Sequence, residues 1–453
     1  MEERRIAFAA RRWAEEHRSV LIEDLKGLLS IRSVASYGEK EYPRGSGCAR
    51  AVDYLLSLGE RYKLTTENDE YYCACIVLPG HSNRELGILG HLDTVPEGDG
   101  WRFPPFAATE KNGCLIARGS RDNKGPVMMA LYVLRCFREL GIPLDSSIRL
   151  IAGCDEERET RDVRHYLSTH SAPEFTLNCD GAWAVCIAEK GIVQAELEAG
   201  IEDGQFIAIS GGGTPNQIPD QAYAVLADEN KTRICITGRA AHCSTPHRGD
   251  NAIPKLLEQL SECEFLSIHT RDKLHTLLQC IADYEGTGLR ISFEDKLSGK
   301  TTCAPTCIRF ENGKIHVLLN IRYSIAQNAE VMLQRFQKRC DSLKIGYKIL
   351  YHSPARYDSP EQPVVKMLLE TCQEYLGKRF KPYAMGGGTH SRIFPRSIPF
   401  GVDLLQPDRK KNYGDPHGPD ESVFIDDLIN AIPVYTAALI RLDQMMHSSA
   451  SDL

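Results

Sequence analysis

His91 and Asp93 stand as His-x-Asp at the end of a short apolar run, and Asp122 sits in Asp-Asn-Lys-Gly-Pro just ahead of a helix start. Glu156 and Glu157 follow a second apolar run, and Asp180 follows Phe175-Thr-Leu-Asn-Cys179. His417 lies in Pro416-His-Gly-Pro-Asp-Glu421. Imidazole nitrogens mixed with carboxylate oxygens form the donor set of hard-to-borderline divalent cations. The set suffices for two such ions: one histidine each, one carboxylate each, and one carboxylate shared. Singly, each residue is a weak signal. Asp122 alone could simply cap the following helix, and an adjacent glutamate pair is usually a solvated face. The conjunction carries the argument, because these residues terminate apolar strands.

The elements that would position them can be read from periodicity. Leu21, Leu25, Leu28 and Leu29 recur at helical spacing, and Leu86–Gly90 reads as a buried strand ending at His91. Gly125-Pro126 opens a long apolar helix, where a proline in the first turn leaves no lost hydrogen bond. Ile148–Ala152 is a further strand, ending at Asp155-Glu-Glu157. Strands alternating with helices predict an α/β domain with a mostly parallel sheet, whose carboxyl edge is where such proteins place their sites. After Gly191 the texture changes to short alternating strands (Val193–Leu197, Arg233–Thr237, Lys314–Tyr323) and helices near Asn251–Cys263 and Asn328–Cys340. From about Gly386 the first style returns, closing with a helix from Ile425 to Arg441 that Pro433 should kink or break. The expected architecture is an α/β catalytic domain (residues 1–190 and 384–453) interrupted by a large α+β lid domain (191–383), long enough for two ferredoxin-like units.

Composition narrows the function classes. The 453 residues carry a net charge of -7, which argues against a nucleic-acid partner. No stretch approaches a membrane span. Met1–His17 lacks the apolar run of a signal peptide, so a cytoplasmic location is expected. The sixteen cysteines, without a CxxC pair, then read as reduced thiols.

His91-Leu-Asp93-Thr-Val-Pro96, Gly119-Ser-Arg-Asp122-Asn-Lys-Gly-Pro126, Asp155-Glu-Glu157 and Gly386-Gly-Gly-Thr389 together resemble the co-catalytic metallopeptidases of the aminoacylase, carboxypeptidase G and desuccinylase superfamily. Within it the chain is most similar to PepV-type bacterial dipeptidases, relatives of carnosinases. The resemblance implies two divalent ions, with zinc expected and manganese or cobalt able to substitute. It gives His91 and Asp180 to one ion, Glu157 and His417 to the other, and Asp122 as the bridge. Glu156 becomes the general base, and Asp93 orients His91. A cis peptide at Asp122–Asn123 is also implied. In the inserted segment, His242 corresponds to a lid histidine that stabilises the oxyanion, Arg322 to the clamp on a substrate carboxylate, and Asn216 to a polar lid contact. Gly386–Thr389, including Gly388, and Arg392 match a loop closing over the substrate's carboxyl end. Asn123 departs from the more frequent aspartate, while Cys179 and Cys243 stand where proline and glycine are common; the cysteines read as packed small residues rather than a thiol switch. The implied reaction is amide hydrolysis in a dipeptide with a free C-terminal carboxylate. An amidohydrolase of N-acyl or N-carbamoyl amino acids is the nearest alternative, and a non-catalytic binding protein is the alternative of another class. The length of the insertion predicts a monomer, since one chain could supply both His242 and Arg322; the alternative is an ordinary dimer on which the extra length is decoration.

Overall fold

A computed structural model describes residues 2–403 and 413–450. The chain divides into two compact units. The first holds the residues up to Ile187, then Ser359–Pro382, and the chain from Thr389 onward; the second holds Ala188–Asp358 and Tyr383–Gly388.

In the first unit a six-stranded sheet runs in the order Thr65–Asp69, Cys73–Leu78, Ser147–Gly153, Glu85–His91, Phe175–Asn178 and Ser397–Pro399. The last four strands are mutually parallel, and the first two add an antiparallel edge. The sheet is therefore mixed and mainly parallel. Ile88, Leu89, Leu150, Ile151 and Leu177 are fully buried, as strands covered on both faces require. Helix Lys124–Leu140 is buried from Lys124 through Phe137 and packs among the core residues, beside Ile425–Ala450. That last helix continues through Pro433 without a break. A small antiparallel sheet of Thr109–Lys111, Cys114–Ile116 and Ser422–Phe424 brings two distant loops together by pairing Ile116 with Ser422.

The second unit carries a seven-stranded antiparallel sheet: Arg233–Thr237, Gln221–Leu226, Phe206–Gly211, Thr302–Glu311, Lys314–Tyr323, Gly191–Gly200 and Gly346–Ser353. The last four of these, with helices Ile268–Cys280 and Ala329–Leu343, follow the strand–helix–strand–strand–helix–strand path of a ferredoxin-like unit. The three remaining strands and helix Ala252–Ser261 extend the sheet past Thr302–Glu311. One complete ferredoxin-like unit with a three-stranded extension thus stands where two were expected. Helix Pro363–Leu376, which the sequence reading placed within 191–383, belongs to the first unit, where Val365, Leu368 and Cys372 join its core. No helix among the described residues is long and apolar enough to cross a membrane.

Candidate metal centre and its neighbours

Strand register builds the centre. His91, the last residue of its strand, pairs with Gly153, and Leu89 pairs with Asn178. Asp180 is therefore level with His91, and the Asp155–Glu157 segment leaves the sheet immediately beside it. Gly90 is required here: a Cβ would lie 2.6 Å from Asn123 Oδ1 and 2.9 Å from Cys179 Sγ.

Asp122 occupies the middle. One carboxylate oxygen lies 3.0 Å from His91 Nε2 and the other 3.1 Å from His417 Nε2. Glu157 Oε1 is 3.0 Å from His417 Nε2, and Asp180 Oδ2 is 3.9 Å from His91 Nε2. Donor atoms of His91, Asp122 and Asp180 lie within 4.8 Å of one another, and so do those of Asp122, Glu157 and His417. Asp122 is common to both groups. It does not cap the helix behind it, whose first residue is Lys124. The Asp122–Asn123 peptide is cis.

A shell of polar contacts fixes these donors. Asp93, fully buried, accepts the backbone N–H of Glu156 at 3.2 Å and of Glu157 at 3.1 Å; its backbone carbonyl lies 3.0 Å from His91 Nδ1, and its Oδ1 sits 3.4 Å from the same nitrogen. It holds the acidic segment as well as the imidazole, a wider task than orienting a ligand. Asn123 accepts the His91 N–H at 3.2 Å and donates from Nδ2 towards Cys179 O and Asp180 Oδ1, at 3.4 and 3.5 Å. A carboxylate could not donate, which accounts for asparagine at this position.

Two contacts escaped the sequence reading. Glu421, fully buried, accepts from Arg118 Nη1 at 2.6 Å and from the backbone N–H groups of Gly119, Arg121 and Asp122, each at 3.0 Å. It ties the Asp122 loop to the loop that carries His417. His390, also buried, lies with Nε2 3.1 Å from Asp162 Oδ1 and its ring edge-on to His91, centroids 6.3 Å apart. The only local hint of Glu421 was its place in the His417 motif.

Burial and mutual repulsion shape the electrostatics. Burial pushes the Glu156 carboxyl well above its usual range; nearby His91 opposes this, while Asp180, Glu157 and Asp122 add to it. Burial, then Asp122, raises Asp180 to about 7. Asp122 goes the other way: burial opposes ionisation, but the hydrogen bonds with His417 and His91 outweigh it. A cavity of about 180 Å³ opens beside Asp122 and Asp180, walled by Arg121, Pro126, Ala182 and Asp403.

The second unit assembles its own cluster. His242 ends a two-residue strand paired to Gln217–Ile218. Its Nδ1 accepts the Ser244 backbone N–H at 3.2 Å and meets Ser244 Oγ at 2.7 Å, which leaves the neutral ring's proton on Nε2. Cys243 N–H donates to Asn216 O at 3.0 Å. Arg322, buried, donates from Nε to Asn320 Oδ1 at 2.7 Å, and Asn320 Nδ2 reaches Pro215 O at 2.8 Å. Arg322 Nη1 lies 3.5 Å from Gly386 O, in the segment that ends at Gly388. His242, Asn216, Arg322 and the glycine segment therefore gather in one unit. Thr389 and Arg392 fall in the first, where the Thr389 hydroxyl accepts the Ser391 N–H at 3.2 Å and Arg392 ends a short 3-10 helix.

The sequence matches the profile of "Peptidase family M20/M25/M40" over residues 87–441. The chain belongs to this family. It is 30% identical over 460 residues, 93% of its own length and 97% of the relative's, to a Bacillus subtilis (strain 168) protein named "Putative dipeptidase YtjP". It is 27% identical to the Beta-Ala-Xaa dipeptidase of Lactobacillus delbrueckii subsp. lactis, covering 95% of this chain and 97% of that one. Its fold is similar to that of human carnosine dipeptidase 1, with a TM-score of 0.65 at 13% identity over 97% of this chain and 99% of the other. His91, Asp122, Glu157, Asp180 and His417 are the donor groups on which a co-catalytic metal site of this family would draw.

Proposed function

We propose that the chain is a two-metal dipeptidase that cleaves the amide bond of dipeptides with a free C-terminal carboxylate. The observation that carries this reading is Asp122, whose two carboxylate oxygens each meet a different buried or half-buried imidazole. The donor set fits a pair of divalent ions. Each group combines an imidazole with carboxylates, and Glu157 Oε1 faces His417 Nε2 at 3.0 Å as a second donor beside Asp122. His91 and Asp180 would hold one ion, Glu157 and His417 the other, with Asp122 shared. Zinc suits the mixed nitrogen and oxygen donors, and manganese or cobalt would also be accepted. When bound, the ions supply Lewis-acid polarisation of the scissile carbonyl and a water acidic enough to lose its proton near neutral pH.

The chain's own groups do the rest. Glu156 takes the water's proton and returns it to the leaving amine, and burial, which pushes its carboxyl above the usual range, favours its holding that proton in between. Asp93 keeps Glu156 and Glu157 in place through their backbone N–H groups. His242 offers its Nε2 proton to the developing oxyanion. Arg322, preoriented by Asn320, pairs with the substrate carboxylate, and Asn216, Gly388, Thr389 and Arg392 complete the substrate's surroundings. The names of the relatives, a Beta-Ala-Xaa dipeptidase among them, support the dipeptide assignment. Sixteen free cysteines, most of them buried, support a reducing cytoplasmic location. The second unit's length supports a monomer. A hydrolysis screen of free dipeptides against N-acyl and N-carbamoyl amino acids, with metal content measured on the same sample, tests the assignment. Turnover of the acyl compounds without turnover of dipeptides would overturn it.

A further inference from the structure

The dipeptidase reading gives no task to Asp162 and His390, yet both are fully buried beside the metal centre. They lie 228 residues apart and meet through His390 Nε2 and Asp162 Oδ1 at 3.1 Å. The other oxygen of Asp162 accepts the backbone N–H of Asp155 at 2.8 Å. Asp155 is the residue before Glu156, so this carboxylate grips the segment carrying the base at its root. Asp93 grips the same segment one and two residues further on. The fit is close: a Cβ on Gly153 would lie 2.1 Å from Asp162 Oδ2 and 3.0 Å from His390 Cε1. Strand Ser147–Gly153 must therefore end in glycine for the pair to stand there.

We infer that Asp162 and His390 form a positioning pair that sets the direction of Glu156. His390 fixes the Asp162 carboxylate, Asp162 fixes the Asp155 N–H, and the segment leaves the sheet at the angle that aims the base. Neither residue exchanges a proton with substrate in this scheme. Without His390, Asp162 Oδ1 would keep only the Val163 N–H at 2.7 Å, and its hold on Asp155 would loosen. Small displacements of a base are expensive in rate, and outer partners of this kind are commonly worth about 10- to 100-fold.

The inference rests on Glu156 being the base, so its test needs a readout that does not depend on substrate. Three variants serve: His390→Ala, His390→Gln and Asp162→Asn. A glutamine amide can place its nitrogen near the position of the imidazole Nε2 and keep the bond to Asp162. In the metal-loaded protein, amide hydrogen exchange of the peptide spanning residues 154–158 should accelerate about tenfold or more in His390→Ala and Asp162→Asn, and return close to wild type in His390→Gln. On whichever substrate the wild type cleaves, kcat should fall about 10- to 100-fold in the first two variants. KM should stay within about threefold, both metal equivalents should be retained, and His390→Gln should recover most of the rate. Unchanged exchange in His390→Ala would overturn the inference. So would a His390→Gln variant as slow as His390→Ala, since the imidazole would then be doing something an amide cannot. If His390→Ala fails to fold, Asp162→Asn against wild type decides by the same exchange measurement. A wild type that cleaves no dipeptide would sink the dipeptidase reading and leave the exchange result standing.

Discussion

The two clusters of candidate residues are built by different means. In the first unit, His91, Asp122, Glu156, Glu157 and Asp180 leave the ends of hydrogen-bonded strands or the start of a buried helix, and buried carboxylates hold the backbone at each exit: Asp93, Asp162 and Glu421. In the second unit, His242 and Asn216 lie in short segments around a two-residue strand pair, joined by backbone hydrogen bonds, by the Ser244 and Thr302 hydroxyls, and by a side-chain relay through Asn320. Backbone built into a wide sheet and a buried helix resists displacement, whereas short segments joined by a two-residue ladder open locally at lower free energy. A metal pair needs the first kind of support, because donor atoms must stay within tenths of an ångström. A surface that receives and releases substrate is better served by the second.

Removing the shared carboxylate should break the contrast most severely. Asp122→Ala is expected to lose both metal equivalents on dialysis and all measurable turnover, because the two donor groups have only this residue in common. Retention of two full equivalents would remove the bridging role. Glu156→Gln should instead keep both metals and lose about two to four orders of magnitude in kcat, the usual worth of a general base. A near-normal rate would show that another group moves the proton.

Arg322 and Asn320, in the second unit, should respond in binding more than in chemistry. Arg322→Ala is expected to weaken use of free dipeptides by about 2–5 kcal/mol in kcat/KM while barely affecting their C-terminal amides, since a desolvated charge-assisted pair carries energy of that size. Equal losses for acid and amide would make the arginine structural. Asn320→Ala should mimic it at smaller scale, raising KM for free dipeptides about tenfold, or about 1.4 kcal/mol. Asn320 touches the guanidinium and Pro215 O, so a variant that changed kcat alone would show the relay to be misread.

Residues whose role follows from local pattern were legible in the sequence. His91, Asp180 and the glutamate pair close apolar strands, and parallel strands must end at one edge. Asp122 was ambiguous, because a helix cap and a metal ligand make the same local pattern; its contacts with two imidazoles, distant in sequence, are what favour the second reading. Glu421, His390 and Asp162 were not legible, since their partners lie hundreds of residues away in sequence and no periodicity encodes a side-chain pairing of that span. The unit boundary failed for a related reason. Helix Pro363–Leu376 has an ordinary apolar face, and nothing in its own residues says which core will cover it. The second ferredoxin-like unit was inferred from length, and length does not distinguish a complete motif from three strands added to an existing sheet.

The smallest expected effect separates the two regions through their thiols. Cys179 lies under the metal centre in the first unit and Cys243 beside His242 in the second; both are fully buried. Burial pushes the Cys243 thiol up to about 12 and raises Cys179 further, so neither offers much thiolate at ordinary pH. Brief treatment with iodoacetamide near pH 8 should therefore leave activity intact and label the exposed Cys235 first. Prolonged treatment reads local opening, because a buried thiol reacts only while its surroundings are displaced. Cys243 is held by its own N–H to Asn216 O and by Thr302 Oγ1 to its carbonyl at 3.2 Å. Cys179 sits beneath Asn123, with its N–H on Leu89 O and its carbonyl on Asn123 Nδ2, inside the sheet edge that carries the metal donors. Mass spectrometry over time should find Cys243 labelled well before Cys179, with loss of turnover following the Cys243 label and metal content unchanged. Labelling of Cys179 first, or of both at one rate, would mean the two regions open together, and the contrast in how they are built would carry no difference in motion.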